Sequence, residues 1–270
     1  MTLSAADFDS PSLHVAAGSG PAFEMKFLID DALAALVANW GRAHLQLDPH
    51  GSEDLGGGYR TTTIYTETPT LDVYQKSKKF RSRKYRVRRY GDAEWFYLER
   101  KTKRGDKVAK RRTRIDAPEL LRLAEQASEA ELAEAPEASN PDAWSGDWFR
   151  RCLARRQLAP VSQITYERLA FGGLCDEGPL RLTFDRNIHG TLIEQWQLVP
   201  FATGPRLLEG RVIMELKFRD ALPSPFKLLI QEFHLAQTTV SKYRLCREAN
   251  GIAAQLALQL PQSDASTSPS

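Results

Sequence analysis

Polar and apolar residues alternate in short stretches along most of the chain. A period of two over residues 23–29, 59–66, 84–90, 94–101, 111–115, 163–170, 180–186, 191–199 and 211–219 predicts nine β-strands. That many short strands point to a barrel or a sandwich. Helical patterns fall at residues 30–40, 117–133, 147–156 and 225–233. The second opens on Asp116-Ala117-Pro118 and is dense in Glu, which predicts a solvated helix outside the core. His189-Gly190 is expected as a turn between two strands. No fixed-period repeat is visible.

Side chains on a strand alternate faces, so parity splits each segment into two rows. Phe23, Met25 and Phe27 oppose Glu24 and Lys26; Tyr85, Val87 and Arg89 oppose Lys84, Arg86 and Arg88; Phe96 and Leu98 oppose Tyr97, Glu99 and Lys101. Late in the chain Leu180, Leu182 and Phe184 oppose Arg181, Thr183 and Asp185, and Met214, Leu216 and Phe218 oppose Glu215, Lys217 and Arg219. One row is apolar and the other is charged, mostly cationic. A solvated sheet face accounts for any one strand, but such faces mix both signs with Ser, Thr and Gln. Two cations about 6 Å apart repel by roughly 3 kcal/mol at an effective dielectric of 20, so a face that gathers many of them implies an anionic partner. If the sheet closes, the charged row faces a wet interior and the apolar row faces outward, the reverse of an ordinary barrel.

Composition bounds the remaining choices. With 270 residues, 42% hydrophobic and 26% charged, the chain suits one soluble domain. The net charge of +3 is small, but residues 81–114 carry Lys or Arg at almost every second position. Three cysteines without CxxC spacing suggest neither a disulfide framework nor zinc, and a cytoplasmic setting is expected. No apolar run is long enough to span a bilayer, and no signal peptide is read. Residues 1–20 and 251–270, rich in small and polar residues, are expected to be disordered around a domain at 21–250. GxxxxGK[ST], HExxH and GxSxG are absent, and the five histidines form no ligand spacing. On the charged row, Glu215 beside Lys217 and Glu24 beside Lys26 offer carboxylates to a hard divalent cation, or simply partners to those lysines.

Several motifs together resemble the catalytic domain of the vacuolar transporter chaperone (VTC) polyphosphate polymerases, within the CYTH-like triphosphate tunnel metalloenzymes. Phe23-Glu24-Met25-Lys26 resembles the opening ExK strand, Arg86-Val87-Arg88-Arg89-Tyr90-Gly91 the RxRxYG strand, and Glu99-Arg100-Lys101-Thr102 the ExKT strand. Tyr166-Glu167-Arg168, Arg181-Leu182-Thr183-Phe184-Asp185, Met214-Glu215-Leu216-Lys217 and Ser241-Lys242-Tyr243 resemble the YxR, RxTxD, metal-binding ExK and SKY motifs. The resemblance spans residues 23–247. It implies an α+β fold, a closed antiparallel β-barrel tunnel with helices packed outside.

By that resemblance, Lys26, Arg86, Arg88 and Lys101 are the implied catalytic cations. Lys110, Tyr166, Arg168, Arg181, Lys217, Ser241 and Lys242 are implied to bind phosphate or nucleotide, with Lys107 and Arg112 as alternative registers for Lys110. Glu215 is the implied principal metal ligand and Glu24 a second, because Ala22 stands where the superfamily's first glutamate would be. The implied cofactor is Mn²⁺ or Mg²⁺, and the implied partners are ATP or another triphosphate and inorganic polyphosphate. Nucleic acid is not expected, and a free-standing domain is. The activity so implied moves the γ-phosphate of ATP onto polyphosphate. A triphosphatase on the same fold and a non-catalytic polyanion binder are the alternatives.

Overall fold

Eight antiparallel strands close into a ring, with helices on its outer side. In the computed structural model, residues 22–105, 107–125 and 144–252 are described; the expected disordered ends, apart from residues 251–252, lie outside them, as does the predicted helix from residue 126 onward. The strands are β1 (Ala22–Asp30), β2 (Gln46–Leu47), β3 (Tyr59–Glu67), β4 (Arg83–Tyr90), β5 (Trp95–Arg104), β6 (Lys107–Asp116), β7 (Ala159–Cys175), β8 (Gly178–Leu192) and β9 (Arg211–Phe218). Their order is β2-β7-β3-β4-β5-β6-β1-β9-β8, and a further β7–β8 pairing closes the ring, leaving β2 as an appendage on β7. The closure is staggered: β1 meets β6 only at Ala22↔Val108 and Phe23↔Lys107, whereas β1 pairs with β9 along its whole length.

The helices are α1 (Asp31–His44), α2 (Asp72–Gln75), α3 (Asp147–Arg155), α4 (Ser224–Glu232) and α5 (Lys242–Ala249). The apolar parity row faces outward beneath them. Phe27, Phe184, Met214 and Leu216 pack with Val37 of α1 and with Phe226 and Leu229 of α4. On the other side Val87, Leu98 and Ile115 pack with Trp148, Phe149 and Leu153 of α3. Full burial of each such side chain contributes about 1.5–3 kcal/mol, so the helices stabilise the ring from outside and leave its interior to polar groups. Asp30 ends β1 and starts α1, its carboxylate accepting from Leu33 N at 2.8 Å.

Three expectations change. The segments read as two strands with a turn at His189-Gly190 form one strand, and Gly190 sits opposite Ile164 in the ladder. Glycine is needed there for close approach: a Cβ would lie 2.7 Å from Cys246 Sγ of α5. Pairing stops at Leu192 rather than 199, because the Gln163 side chain takes over Val199, donating to its carbonyl at 2.8 Å and accepting its N–H at 3.0 Å. The described part of the solvated helix is a 3₁₀ helix, Ala117–Ala124, whose Leu120 and Leu123 are buried in the core. α5 has no counterpart in the sequence reading. Among the described residues, no helix is long and apolar enough to cross a membrane.

Candidate functional site

The ring encloses a cavity of about 290 Å³. All thirteen residues singled out from the sequence line it: Glu24, Lys26, Arg86, Arg88, Lys101, Lys110, Tyr166, Arg168, Arg181, Glu215, Lys217, Ser241 and Lys242. Period two places the eleven strand residues there, since each strand turns its charged row inward and the cross-strand register stacks the rows, while Ser241 and Lys242 come from the start of α5. Glu24 faces Lys217 and Lys26 faces Glu215 across β1 and β9. Arg86 faces Glu99, and Lys101 faces Lys110. The wall holds eleven Lys or Arg side chains against two glutamates.

The acids form nodes that space the cations. At the first, the Lys26 ammonium lies between two carboxylates, 2.6 Å from Glu24 Oε1 and in contact with Glu215 Oε1. Lys101 reaches Glu24 Oε2 at 2.9 Å, and Lys217 reaches Glu215 Oε2 at 3.1 Å. Burial pushes the pKa of Glu24 up, as does the Glu215 charge, yet Lys26, Lys217 and Lys101 together hold it far below the usual carboxylate range. Burial opposes the charge on Glu215 too, and Lys217 and Lys26 overcome it.

The second node is Glu99, fully buried. It accepts from Arg86 Nε at 2.7 Å, Arg112 Nη2 at 2.7 Å and Lys110 Nζ at 3.2 Å. Burial, and then Arg112, drive the Lys110 ammonium down to about 8 despite Glu99. The third node is Asp185, which accepts two bonds from Arg168 and one from Lys242 Nζ at 2.5 Å. Lys242 also stands 4.6 Å from the Tyr166 ring centre. Ser241 caps α5, its hydroxyl accepting from Arg244 N at 3.4 Å, and thereby fixes where Lys242 projects. At a fourth node Arg181 Nη2 reaches Asp48 at 2.6 Å and the Tyr59 hydroxyl at 3.3 Å.

Three wall cations, Arg88, Lys84 and Arg219, lean on no such node among the described residues. Arg88 is 5% exposed and donates to Thr63 Oγ1 at 3.1 Å. Lys84 also lines the cavity, and burial, with repulsion from Lys101 and Arg86, lowers its pKa. Tyr90 accepts from Arg112 Nη2 at 3.0 Å; burial raises the phenol, but Arg112 and Arg88 outweigh it and bring it to about 6.

Of the alternative registers, Lys110 and Arg112 both turn to Glu99, while Lys107 lies outside near Asp220 at 3.8 Å. The sequence reading gave no role to Lys84, Tyr65, Tyr90, Glu99, Asp185 or Asp48, and offered Arg112 only as an alternative register for Lys110. Lys84 was legible on the inward row; the first and fourth nodes depend on partners far apart in sequence, Lys26 with Glu215 and Arg181 with Asp48, whereas Glu99 and Asp185 gather their arginines from adjacent strands.

A divalent cation fits one place. No group of three or more His, Cys, Asp or Glu side chains converges among the described residues. Glu24 and Glu215, however, converge on one point, now taken by the Lys26 ammonium. Two carboxylates are what a Mg²⁺ or Mn²⁺ needs from protein when the ligand's phosphates and water complete its shell.

A closed antiparallel ring with cations pointing inward and the apolar face outward defines a triphosphate-tunnel fold. The chain belongs to the VTC domain family, whose family model matches residues 22–249. Among solved structures it is similar in fold to a candidate adenylate cyclase from Bacillus halodurans, at 15% identity over 81% of this chain and 92% of that one, with a TM-score of 0.45. It is also similar to HpAC1 of Hippeastrum, a candidate adenylyl cyclase described as having a dominant triphosphatase activity, at 12% identity over 85% and 96% of the two chains and a TM-score of 0.44. A Pyrococcus horikoshii protein, PH1819, gives 12% identity over 84% and 98% and a TM-score of 0.44. No curated protein matches the chain significantly.

Proposed function

We propose that the protein transfers the γ-phosphoryl group of ATP to the end of an inorganic polyphosphate chain inside the tunnel. The observation that carries this reading is the wall itself, eleven cations against two acids around a cavity enclosed by the ring of strands. Such a wall suits a flexible linear polyanion better than a compact neutral substrate.

Phosphoryl transfer needs positioning and charge neutralisation more than covalent help from the protein. Arg86, Arg88 and Lys101 clamp the oxygens of the transferred group, and Lys26, Lys110, Arg168, Arg181, Lys217 and Lys242 hold the phosphates on either side. Glu99 and Asp185 keep the guanidiniums in plane, so little reorganisation is needed when the charge moves. Glu215 and Glu24 would hold a divalent cation with Lys26 turned to a phosphate. When bound, that cation would supply neutralisation of phosphate charge. The bond from the γ-phosphorus to the bridging oxygen breaks, a bond to a terminal oxygen of the chain forms, and ADP leaves with the electron pair. The acceptor oxygen is already ionised, so no general base is required.

The test is incubation with ATP and Mn²⁺ or Mg²⁺, with and without a short polyphosphate primer, and separation of products by length. Chain growth with ADP release is the expected result. Orthophosphate released from triphosphate without chain growth would identify a hydrolase and overturn the transfer.

A further inference from the structure

Between Thr68 and Lys84 the chain has six cations, Lys76, Lys78, Lys79, Arg81, Arg83 and Lys84, and a single acid, Asp72. Five of the six are exposed; Lys84 turns inward and lines the tunnel. None of the five forms a close ion pair among the described residues, although Lys79 lies near enough to Asp72 to help lower its pKa. Asp72 is occupied by the hydroxyls of Thr70 and Thr68, at 2.6 and 2.8 Å. Cations this dense repel one another, and salt only partly screens the repulsion. They add nothing to the stability of the loop.

The loop is nevertheless a built surface. Phe80 is buried in the same core cluster as Tyr85 and Val87. Phe80 N and Arg81 N both donate to Ser77 O at 2.8 Å, and Lys103 N donates to Ser82 O at 2.7 Å, tying the loop to the end of β5. Strand order puts it at a tunnel mouth: it joins β3 to β4 at the end of the ring where β5 turns into β6. Just inside that mouth, Lys84 faces Lys101 across the ladder.

We propose that residues 76–83 form a cationic collar that binds the part of a long linear polyphosphate lying outside the tunnel, so that long chains are held more tightly than a triphosphate. The inference rests on the reading of the tunnel as a polyphosphate site. A chain leaving the tunnel past Lys84 would emerge beside the loop that carries these exposed cations. Nucleic acid and membranes fit the collar less well. Phe80 is buried and the Arg244 guanidinium lies 4.3 Å over the Tyr74 ring, so the loop presents no row of open aromatic rings for bases to stack on. None of the exposed large hydrophobic residues lies in the loop, so it has no apolar side chain to insert into a bilayer.

The test compares the full chain with a variant combining Lys76→Gln, Lys78→Gln, Lys79→Gln and Arg81→Gln, measuring Kd for tripolyphosphate and for long-chain polyphosphate over a salt series. In the variant the long-chain Kd is expected to rise on the order of tenfold at about 0.15 M salt, with a shallower salt dependence. Tripolyphosphate Kd is expected to stay within about twofold, since the nearest substituted charges are largely screened from the tunnel; it also reports that the variant is folded. An unchanged long-chain Kd overturns the collar and leaves the tunnel reading standing. Proportionate loss of both ligands overturns it too, because the loop would then act only through its field. If the unaltered protein binds neither, the tunnel reading fails and the collar falls with it. If it prefers single-stranded DNA or anionic vesicles to long polyphosphate, and the variant loses that preference, the assigned partner is wrong.

Discussion

Arg168 and Asp185 meet in two parallel hydrogen bonds, Nε to Oδ1 at 2.6 Å and Nη2 to Oδ2 at 2.7 Å, from directly opposed positions on β7 and β8. Both are buried. The fork-on-carboxylate geometry fixes the plane of the guanidinium. Desolvation offsets much of the attraction in such a pair, so its main consequence is orientation rather than stability. Lys242 shares the same carboxylate, which makes Asp185 the point where the last segment of the chain is locked to the tunnel wall.

Asp185→Asn should therefore do more harm than the pair's net contribution suggests. It leaves two cations, Arg168 and Lys242, buried beside a neutral amide, and removing one partner of a buried pair typically costs about 3–5 kcal/mol. Urea denaturation should show a loss of that order. Added tripolyphosphate should recover part of it, because a bound anion restores the missing charge. A variant as stable as the parent would mean that Asp185 is not the counter-ion its contacts indicate.

Glu215→Gln separates a metal ligand from a mere lysine partner. If the carboxylate only neutralises Lys26 and Lys217, its loss frees two cations and turnover survives. If it holds the metal, turnover with ATP should fall roughly a hundredfold or more, since a bound cation supplies several kcal/mol of charge stabilisation. Metal-free binding of tripolyphosphate should be unchanged or tighter in either case, as one repelling charge is gone. Turnover within a few-fold of the parent would remove Glu215 from the metal site.

The inward row was legible because period two is a property of local sequence. Once Glu24, Lys26, Arg86, Arg88, Glu215 and Lys217 are assigned one parity, any closure of the sheet carries them inside together. The closure has no local signature, since two residue pairs join β1 to β6. Nor do the nodes: Arg112 gains its place from Glu99 on the neighbouring strand, and Arg181 from Asp48, 133 residues away. α5 escaped notice because a helix of eight residues with Tyr243, Cys246 and Arg247 as its buried positions has too short an apolar stripe to read. His189-Gly190 misled for the opposite reason. Glycine there answers to a helix packed across the strand, and a turn signal is what it looks like from sequence.

Affinity for polyphosphate should weaken with rising pH. A bound polyanion favours the ammonium form of Lys110, whose own pKa is held at about 8 chiefly by burial and then by Arg112. Below that pH the lysine is already charged and binding takes up no proton. Above it, binding must also protonate Lys110, so Kd rises by up to about tenfold per pH unit until the bound-state pKa is reached. Tyr90, brought to about 6 by Arg112 and Arg88 against the effect of burial, contributes in the same direction from a lower pH, as the phenolate competes with the ligand for those cations. Titration calorimetry of tripolyphosphate binding across the range should show both steps. Lys110→Gln should remove the upper one and Tyr90→Phe the lower. A flat profile in the parent would exclude both assignments.

Gly190→Ala tests whether α5 is seated as described. The new methyl would stand 2.7 Å from Cys246 Sγ and 3.0 Å from Leu207 Cδ1, closer than packed atoms tolerate. Overpacking of this kind costs about 1–3 kcal/mol. The helix is the easier element to move, because β8 is held by ladders on both sides. Its displacement would carry Lys242 away from Asp185, so a modest rise in tripolyphosphate Kd should accompany the loss of stability. Cys246→Ala removes the offending sulfur. In the double variant the two costs should therefore be less than additive, the coupling expected of residues that touch. Urea melts of the four proteins measure it. Additive costs, or a neutral Gly190→Ala, would show that α5 does not rest on Gly190 and that Lys242 is held by something other than this contact.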